Sequence, residues 1–179
     1  YTSPDVTYWG LEPRFALSVR IGKAASLKAA YTRTQQYFQQ ALISTTGSPL
    51  DVWLSASPVV KPQISDQYTL GYYQIFLQDA LEASCELFYK NNRNTPDFVD
   101  NSGFVLDQPD REAYLRFGRS YAYGAEFMLR YGKDPWSGWL GYTWSRAIYD
   151  IPEINGGKPY ASPVNHEHSM DFCLSYEIS

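Results

Sequence analysis

The feature that most constrains the fold is a two-residue alternation that runs through unusually long stretches of the chain. From Tyr121 to Tyr131, every odd position is apolar or aromatic, while the even positions are small, charged or flexible. Successive side chains of a β-strand point to opposite faces, so this pattern predicts a strand with one apolar face. Including this stretch (about 120–131), seven strands are predicted, and the other six lie at about 13–21, 26–37, 66–76, 81–90, 137–148 and 168–178.

The connections between these strands alternate between short turns and long segments. In chain order they fall at about 22–25, 38–65, 78–80, 91–119, 132–135 and 149–167. Outer-membrane barrels of bacteria have short periplasmic turns and longer extracellular loops. Their strands need about 9–11 residues to cross a bilayer, whereas strands of soluble proteins average about 5–6. The sequence therefore predicts an all-β fold, a segment of an antiparallel transmembrane β-barrel.

On this interpretation residues 1–179 form one partial barrel domain with three long extracellular loops, at about 38–65, 91–119 and 149–167. Bacterial single-chain barrels use even strand numbers, and seven is odd. We therefore expect further strands, outside this sequence, to close the barrel. An open edge in lipid would leave unpaired backbone groups, each costing several kcal/mol.

Aromatic residues make up 17% of the chain, with 16 Tyr, 9 Phe and 5 Trp. Such an excess fits the interfacial girdles of a membrane barrel, and it also fits a soluble β protein that binds sugars or peptides. Trp136 and Trp139 flank a predicted periplasmic turn, and Tyr37 and Phe38 lie at the predicted outer rim. These four residues are candidates for the two girdles.

Charged residues avoid the apolar face of the predicted strands. An Arg or Lys facing lipid at mid-depth would cost about 2–4 kcal/mol. A soluble sandwich would segregate charge in the same way, so strand length, connection pattern and tyrosine content favour the membrane barrel. The net charge is −4 with no basic run, which argues against a nucleic-acid partner. The charges placed on the opposite face are Arg20, Lys28, Glu82, Glu86, Glu126, Arg130, Asp171 and Glu177.

Several segments resemble the C-terminal barrel region of TonB-dependent outer-membrane receptors, particularly those of Bacteroidetes-type bacteria. They are residues 61–72 (KPQISDQYTLGY), 87–90 (LFYK), 139–145 (WLGYTWS) and 155–160 (NGGKPY). The resemblance covers most of residues 11–179. It implies a 22-stranded barrel of the bacterial outer membrane, occluded by an N-terminal plug. It also implies import of a bulky nutrient, an iron chelate, cobalamin, a glycan or a peptide, with energy supplied through TonB.

The implied partners follow from the same resemblance. They are outer-membrane lipid, the plug and remaining barrel of the parent protein, TonB through an N-terminal region outside this sequence and, in part of the family, a surface lipoprotein. Two alternatives stay open at this point. One is a smaller porin-like outer-membrane barrel, and the other is a soluble β-rich binding module at the cell surface.

Four aromatic residues in the predicted long loops are candidate ligand contacts. Exposed rings can stack on a ligand, especially a sugar, or they can pack the loops together, and packing is the favoured interpretation. The four residues are Trp53, Phe98, Phe104 and Tyr114.

The sequence contains no nucleophile–base motif and no phosphate-binding glycine loop, so an enzyme is not expected. His166 and His168 lack a third metal ligand nearby, and neither a metal site nor a cofactor is predicted. Cys85 and Cys173 fall on opposite faces of strands that are not adjacent. We expect both thiols to be free.

Overall fold

The computed structural model describes residue 2 and residues 6–41, 52–99 and 111–178. Ten strands lie in these ranges, together with two short 3-10 turns at Arg111–Tyr114 and Asn155–Gly157. Within the described part, no helix is both long and apolar enough to cross a membrane. The strands are β1 Arg14–Ile21, β2 Ala25–Gln36, β3 Phe38–Ala41, β4 Val52–Ser55, β5 Gln63–Phe76, β6 Leu81–Phe98, β7 Leu115–Lys133, β8 Trp136–Asp150, β9 Tyr160–Ala161 and β10 His168–Tyr176.

Seven long strands form one antiparallel meander in which each strand pairs with the next long strand along the chain. The order is β1-β2-β5-β6-β7-β8-β10, and the short strand β9 adds to β8. This arrangement confirms the predicted all-β antiparallel fold and its seven long strands. All short turns lie at one end of the sheet, the short-turn end, and all long connections lie at the other, the long-loop end.

Two strands are much longer than the sequence pattern predicts. β6 continues to Phe98 instead of ending near position 90, and β7 begins at Leu115 instead of position 120. The predicted loop 91–119 is therefore wrong at both ends. The polar run after Lys90 has no apolar alternation, yet its backbone pairs with β7. A register shift at Arg93/Thr95 accommodates Asn94, whose φ is 59°.

The predicted loop 38–65 also contains regular structure. β3 pairs with β4 in a separate two-stranded sheet, and β5 begins at Gln63. This small hairpin folds against the extended ends of β6 and β7. The contact forms a compact hydrophobic cluster, the loop-end core, which consists of Leu54, Val60, Phe98 and Leu115.

Gly124 on β7 faces the ring of Phe88, its register partner on β6. A β-carbon at this position would meet the Trp144 carbonyl oxygen and would lie 2.8 Å from Cζ of Phe88. The position therefore requires glycine for a close approach of backbone and ring. Gly132, near the end of the same strand, has nothing within 4 Å of such a β-carbon.

We expect Gly124→Val to destabilise the protein by about 1–3 kcal/mol, because the added atoms overpack the contact with Phe88 and the neighbouring backbone. Urea unfolding of the protein reconstituted in lipid vesicles would measure the loss. Gly132→Val is the matched control, since it adds the same side chain to open space on the same strand. Equal midpoints for the two variants would contradict the prediction.

Candidate functional site

One face of the meander, the outer face, is apolar across all seven long strands. Residues that are directly opposite one another on neighbouring strands form rows across this face, and these register rows run from β1 to β10. Most of these large apolar side chains are exposed, and the area exceeds what a soluble protein leaves uncovered. The face therefore requires an apolar neighbour such as lipid. One representative row consists of Val19, Leu27, Tyr72, Cys85, Phe127, Tyr142 and Met170.

An aromatic row borders the outer face toward the long-loop end. Its rings lie side by side, with centroids 6.3 Å apart for Phe15 and Tyr31 and 5.0 Å apart for Tyr31 and Tyr68. Interfacial depth in a bilayer favours such amphipathic rings. The row consists of Phe15, Tyr31, Tyr68, Tyr89 and Tyr123, which are consecutive register partners.

A second aromatic border lies at the short-turn end, where the Trp136 and Tyr176 rings are 4.8 Å apart. From Tyr68 to Phe76 the strand β5 rises about 26 Å at about 3.3 Å per residue, or about 20 Å along the normal of a sheet tilted by about 40°. This height is close to the apolar band of outer-membrane barrels, about 25 Å. The apolar band between the two borders therefore fits a membrane.

The girdle predictions are correct in part. Trp136 lies on the outer face, as expected, but the register pairs Trp139 with Arg130 and Cys173 on the opposite face. The prediction for Trp139 was wrong because it lies three residues after Trp136, and an odd spacing along a strand puts two side chains on opposite faces. Phe38 lies in the β3–β4 hairpin, and the aromatic row toward the long-loop end runs through Tyr31 instead.

The opposite face, the inner face, carries the strand charges that the sequence placed there. Lys28, Glu86 and Glu126 belong to one register row, and the Tyr73 ring lies 4.0 Å from Lys28 Nζ. The Tyr73 hydroxyl donates a 2.5 Å hydrogen bond to Glu86 Oε1. These residues border a cavity of about 640 Å³. Its charged lining comprises Lys28, Glu82, Glu86, Glu126, Arg130 and Asp171, so carboxylates exceed cations.

Hydrogen bonds between side chains connect the ends of β5, β6, β7 and β9 at the long-loop end. The Thr95 and Ser120 hydroxyls are 2.9 Å apart, and Gln63 Nε2 donates to Thr95. The Tyr160 hydroxyl donates to Asp97 Oδ2 at 2.6 Å. These bonds and the loop-end core hold the extended ends of the strands in a fixed arrangement.

The structure places three of the four predicted ligand-contacting aromatics. Phe98 is buried at 5% exposure in the loop-end core, and Tyr114 packs against that core, so the packing interpretation is confirmed for both. Trp53 lies in β4 and is 66% exposed. Phe104 lies outside the described residues. Ligand contact by these aromatics stays a prediction.

The cysteine prediction is confirmed, because Cys85 and Cys173 are free and their register rows lie on opposite faces. His168 Nδ1 is 2.9 Å from the Tyr142 hydroxyl. Among the residues that the structure describes, no group of three side chains could hold a metal ion.

Sequence reasoning missed a charged cluster on the outer face, centred on Asp66. This carboxylate is 6% exposed, and its Oδ1 accepts hydrogen bonds from the Tyr31 hydroxyl and Arg33 Nε, both at 2.7 Å. Its Oδ2 accepts from Arg93 Nη2 at 3.0 Å. The sequence shows that Asp66 and Tyr68 share one strand face, because they are two residues apart. Arg93 lay in a predicted loop, so its contact with Asp66 was not expected.

Asp66 lies two residues beyond the aromatic row, outside the apolar band. The hydrogen bond from Arg33 lowers the pKa of this carboxyl, and the nearby Arg93 acts in the same direction. Burial raises it and is outweighed. Asp66 therefore stays ionised at the membrane border, between two arginines, and the cluster as a whole carries a net positive charge.

The amino-acid pattern over residues 1–170 matches the family model of the TonB dependent receptor-like β-barrel. The chain belongs to this family. The family is found in bacterial outer membranes, and its members are receptors and transporters. This assignment confirms the resemblance found in the sequence.

Solved structures of TonB-dependent receptors share the fold. One is the FpvAI–pyocin S2 complex, with 15% identity, a TM-score of 0.61, and coverage of 94% of this chain and 21% of that chain. Another is P. aeruginosa FpvA with heterologous pyoverdines, at 15% identity, TM-score 0.60, and 94% and 20% coverage. A third is the E. coli K12 ferric-catecholate import receptor Fiu, at 17% identity, TM-score 0.61, and 93% and 22% coverage.

The chain thus spans about one fifth of the length of these receptors. A search of curated proteins found no match.

We expect Asp66→Asn to destabilise the receptor barrel by about 1–3 kcal/mol at neutral pH. The loss stays below that of a fully buried ion pair because Arg33 and Arg93 are partly exposed. Because the folded-state pKa is lowered, the contribution is complete above the ordinary aspartate range, about pH 4, and disappears as the pH falls through the lowered value.

Urea midpoints of wild type and variant should therefore converge in acid. Asp171→Asn is the control, since Asp171 is an exposed strand carboxylate with no hydrogen bond or ion pair in the described part of the chain. A pH-independent difference between wild type and Asp66→Asn would contradict this account.

Proposed function

We propose that this chain forms part of the barrel of an outer-membrane transporter that binds and imports a bulky nutrient. The main observation in support is that the meander has two different faces, an apolar outer face bordered by aromatic residues and a charged inner face beside a cavity. A wall of this kind separates lipid from a polar lumen. Membership of the receptor family supports the same proposal.

An iron chelate is the first substrate class to test. The related structures are titled as a pyoverdine–iron complex of FpvA and as a ferric-catecholate import receptor. Those titles belong to proteins with 15% and 17% identity, so they support the choice of substrate only as a starting point. Cobalamin, glycans and peptides are the other classes that fit a large plugged barrel.

In the proposed mechanism, the long connections lie outside the cell and bind the nutrient. The Thr95–Ser120 and Asp97–Tyr160 contacts hold together the strand ends from which these connections leave, which reduces the entropy lost on binding. A surface lipoprotein is a further candidate partner at this end.

The inner face meets the plug in this proposal, and TonB acts on the plug from the periplasm. The carboxylates at Glu82, Glu86 and Glu126 favour a plug surface that presents cations or hydrogen-bond donors. The remaining strands of the parent protein pair with β1 and β10, which are the two edge strands of the described sheet and each have one strand neighbour there.

The test is uptake of a radiolabelled ferric chelate by cells that carry or lack the intact receptor, each with and without TonB. Uptake that requires both proteins supports the proposal. Uptake that requires the receptor but not TonB would indicate a porin-like barrel. Recovery of the protein in the soluble fraction would indicate a surface binding module.

Trp53→Ala should raise the ligand concentration for half-maximal uptake by about tenfold, because loss of a stacking aromatic removes about 1.4 kcal/mol of binding. The exposed position of Trp53 leaves the barrel fold intact. Leu54→Ala is the control variant at the neighbouring position. Leu54 is buried in the loop-end core, so its truncation should lower the free energy of unfolding instead. Unchanged uptake in Trp53→Ala would remove this residue from the ligand site.

A further inference from the structure

Two arginines face each other across β6 and β7 on the outer face. Arg93 and Arg119 are direct register partners, and they follow the same row parity as Tyr89 and Tyr123. Side chains that are directly opposite in an antiparallel pair have β-carbons about 4.5–5.5 Å apart, and like charges at that distance repel. A nearby anion would therefore stabilise the pair.

Protein carboxylates supply such an anion only in part. Asp66 accepts a hydrogen bond from Arg93 Nη2 but also from Arg33. Arg93 Nε is buried without a hydrogen-bond partner within the described residues. Asp150 is the register partner of Arg119, yet no ion pair joins the two in the described structure. Asp66 is thus the one carboxylate bonded to arginines of this group in the described structure, and it is shared by Arg33 and Arg93. Arg119 is exposed.

The position of the pair selects the kind of anion. Arg93 lies four residues beyond Tyr89, which is about 13 Å along the strand and about 10 Å along the membrane normal. That height above the aromatic row corresponds to the headgroup region of a bilayer. On β7, Leu115 lies four residues before Arg119 on the same face and belongs to the loop-end core. On β6, Asn94 follows Arg93 and donates a hydrogen bond to the Pro62 carbonyl.

The arginine pair thus lies on the lipid-facing side, between the aromatic row and the loop-end core. We propose that this pair binds a phosphate group of an outer-leaflet lipid, held between the Arg93 and Arg119 guanidinium groups. Planar guanidinium groups bind phosphate oxygens through paired hydrogen bonds, which suits both arginines to this ligand. The proposal rests on the membrane placement under Proposed function and is independent of the imported nutrient.

The experiment uses the intact receptor in detergent, incubated with lipid A that carries two phosphates and analysed by native mass spectrometry. Wild type should retain the lipid, and the double variant R93Q/R119Q should retain at least tenfold less. The control R14Q/R20Q removes two arginines from the inner-face parity of β1 and should retain lipid as wild type does. Lipid A of the same acyl composition without phosphates should not be retained.

Three results would overturn the proposal. They are equal retention by R93Q/R119Q, equal retention of the dephosphorylated lipid, and displacement of lipid A by millimolar inorganic phosphate, which would indicate a free-phosphate site. Heat-modifiable gel migration checks that each variant is folded. If the double variant does not fold, R119Q alone replaces it, with at least a threefold loss of retention expected and wild-type retention overturning the proposal. Ferric-chelate uptake, measured in parallel, separates failure of this site from failure of the transport proposal.

Discussion

The structure depends on the antiparallel backbone ladder between sequential long strands. In the apolar part of a bilayer no water is available to satisfy N–H and C=O groups, so every strand must bond to its neighbours. The meander achieves this for the interior strands through continuous antiparallel pairing from β1 to β10, with one register shift at Arg93/Thr95 beyond the apolar band. Because the ladder fixes register, it also fixes which side chains form each row and which face each row occupies.

The two faces then acquire separate roles from that register. The outer face combines aliphatic rows with aromatic borders, which suits contact with lipid. The inner face collects charge beside a cavity, where Tyr73 connects Lys28 and Glu86. A single-layer sheet has no interior of its own, so the only described hydrophobic cluster of buried residues lies at the long-loop end.

The extension of two strands past the aromatic row shapes the long-loop end. β6 and β7 continue well past the aromatic row and carry polar residues that bond to one another and to the returning connections. The β3–β4 hairpin packs against this extension. This end carries both the proposed ligand-binding surface and the proposed lipid-phosphate site at the arginine pair.

The sequence by itself determined the number of long strands, the alternation of short and long connections, and the side of most strand charges, because each depends on local two-residue periodicity. It missed the polar ends of β6 and β7, since backbone pairing there does not depend on apolar alternation. It also missed the β3–β4 hairpin and the face of Trp139. Only the tertiary structure brought Arg33, Asp66 and Arg93 together and set Arg93 opposite Arg119, because these contacts depend on cross-strand register between residues distant in the chain.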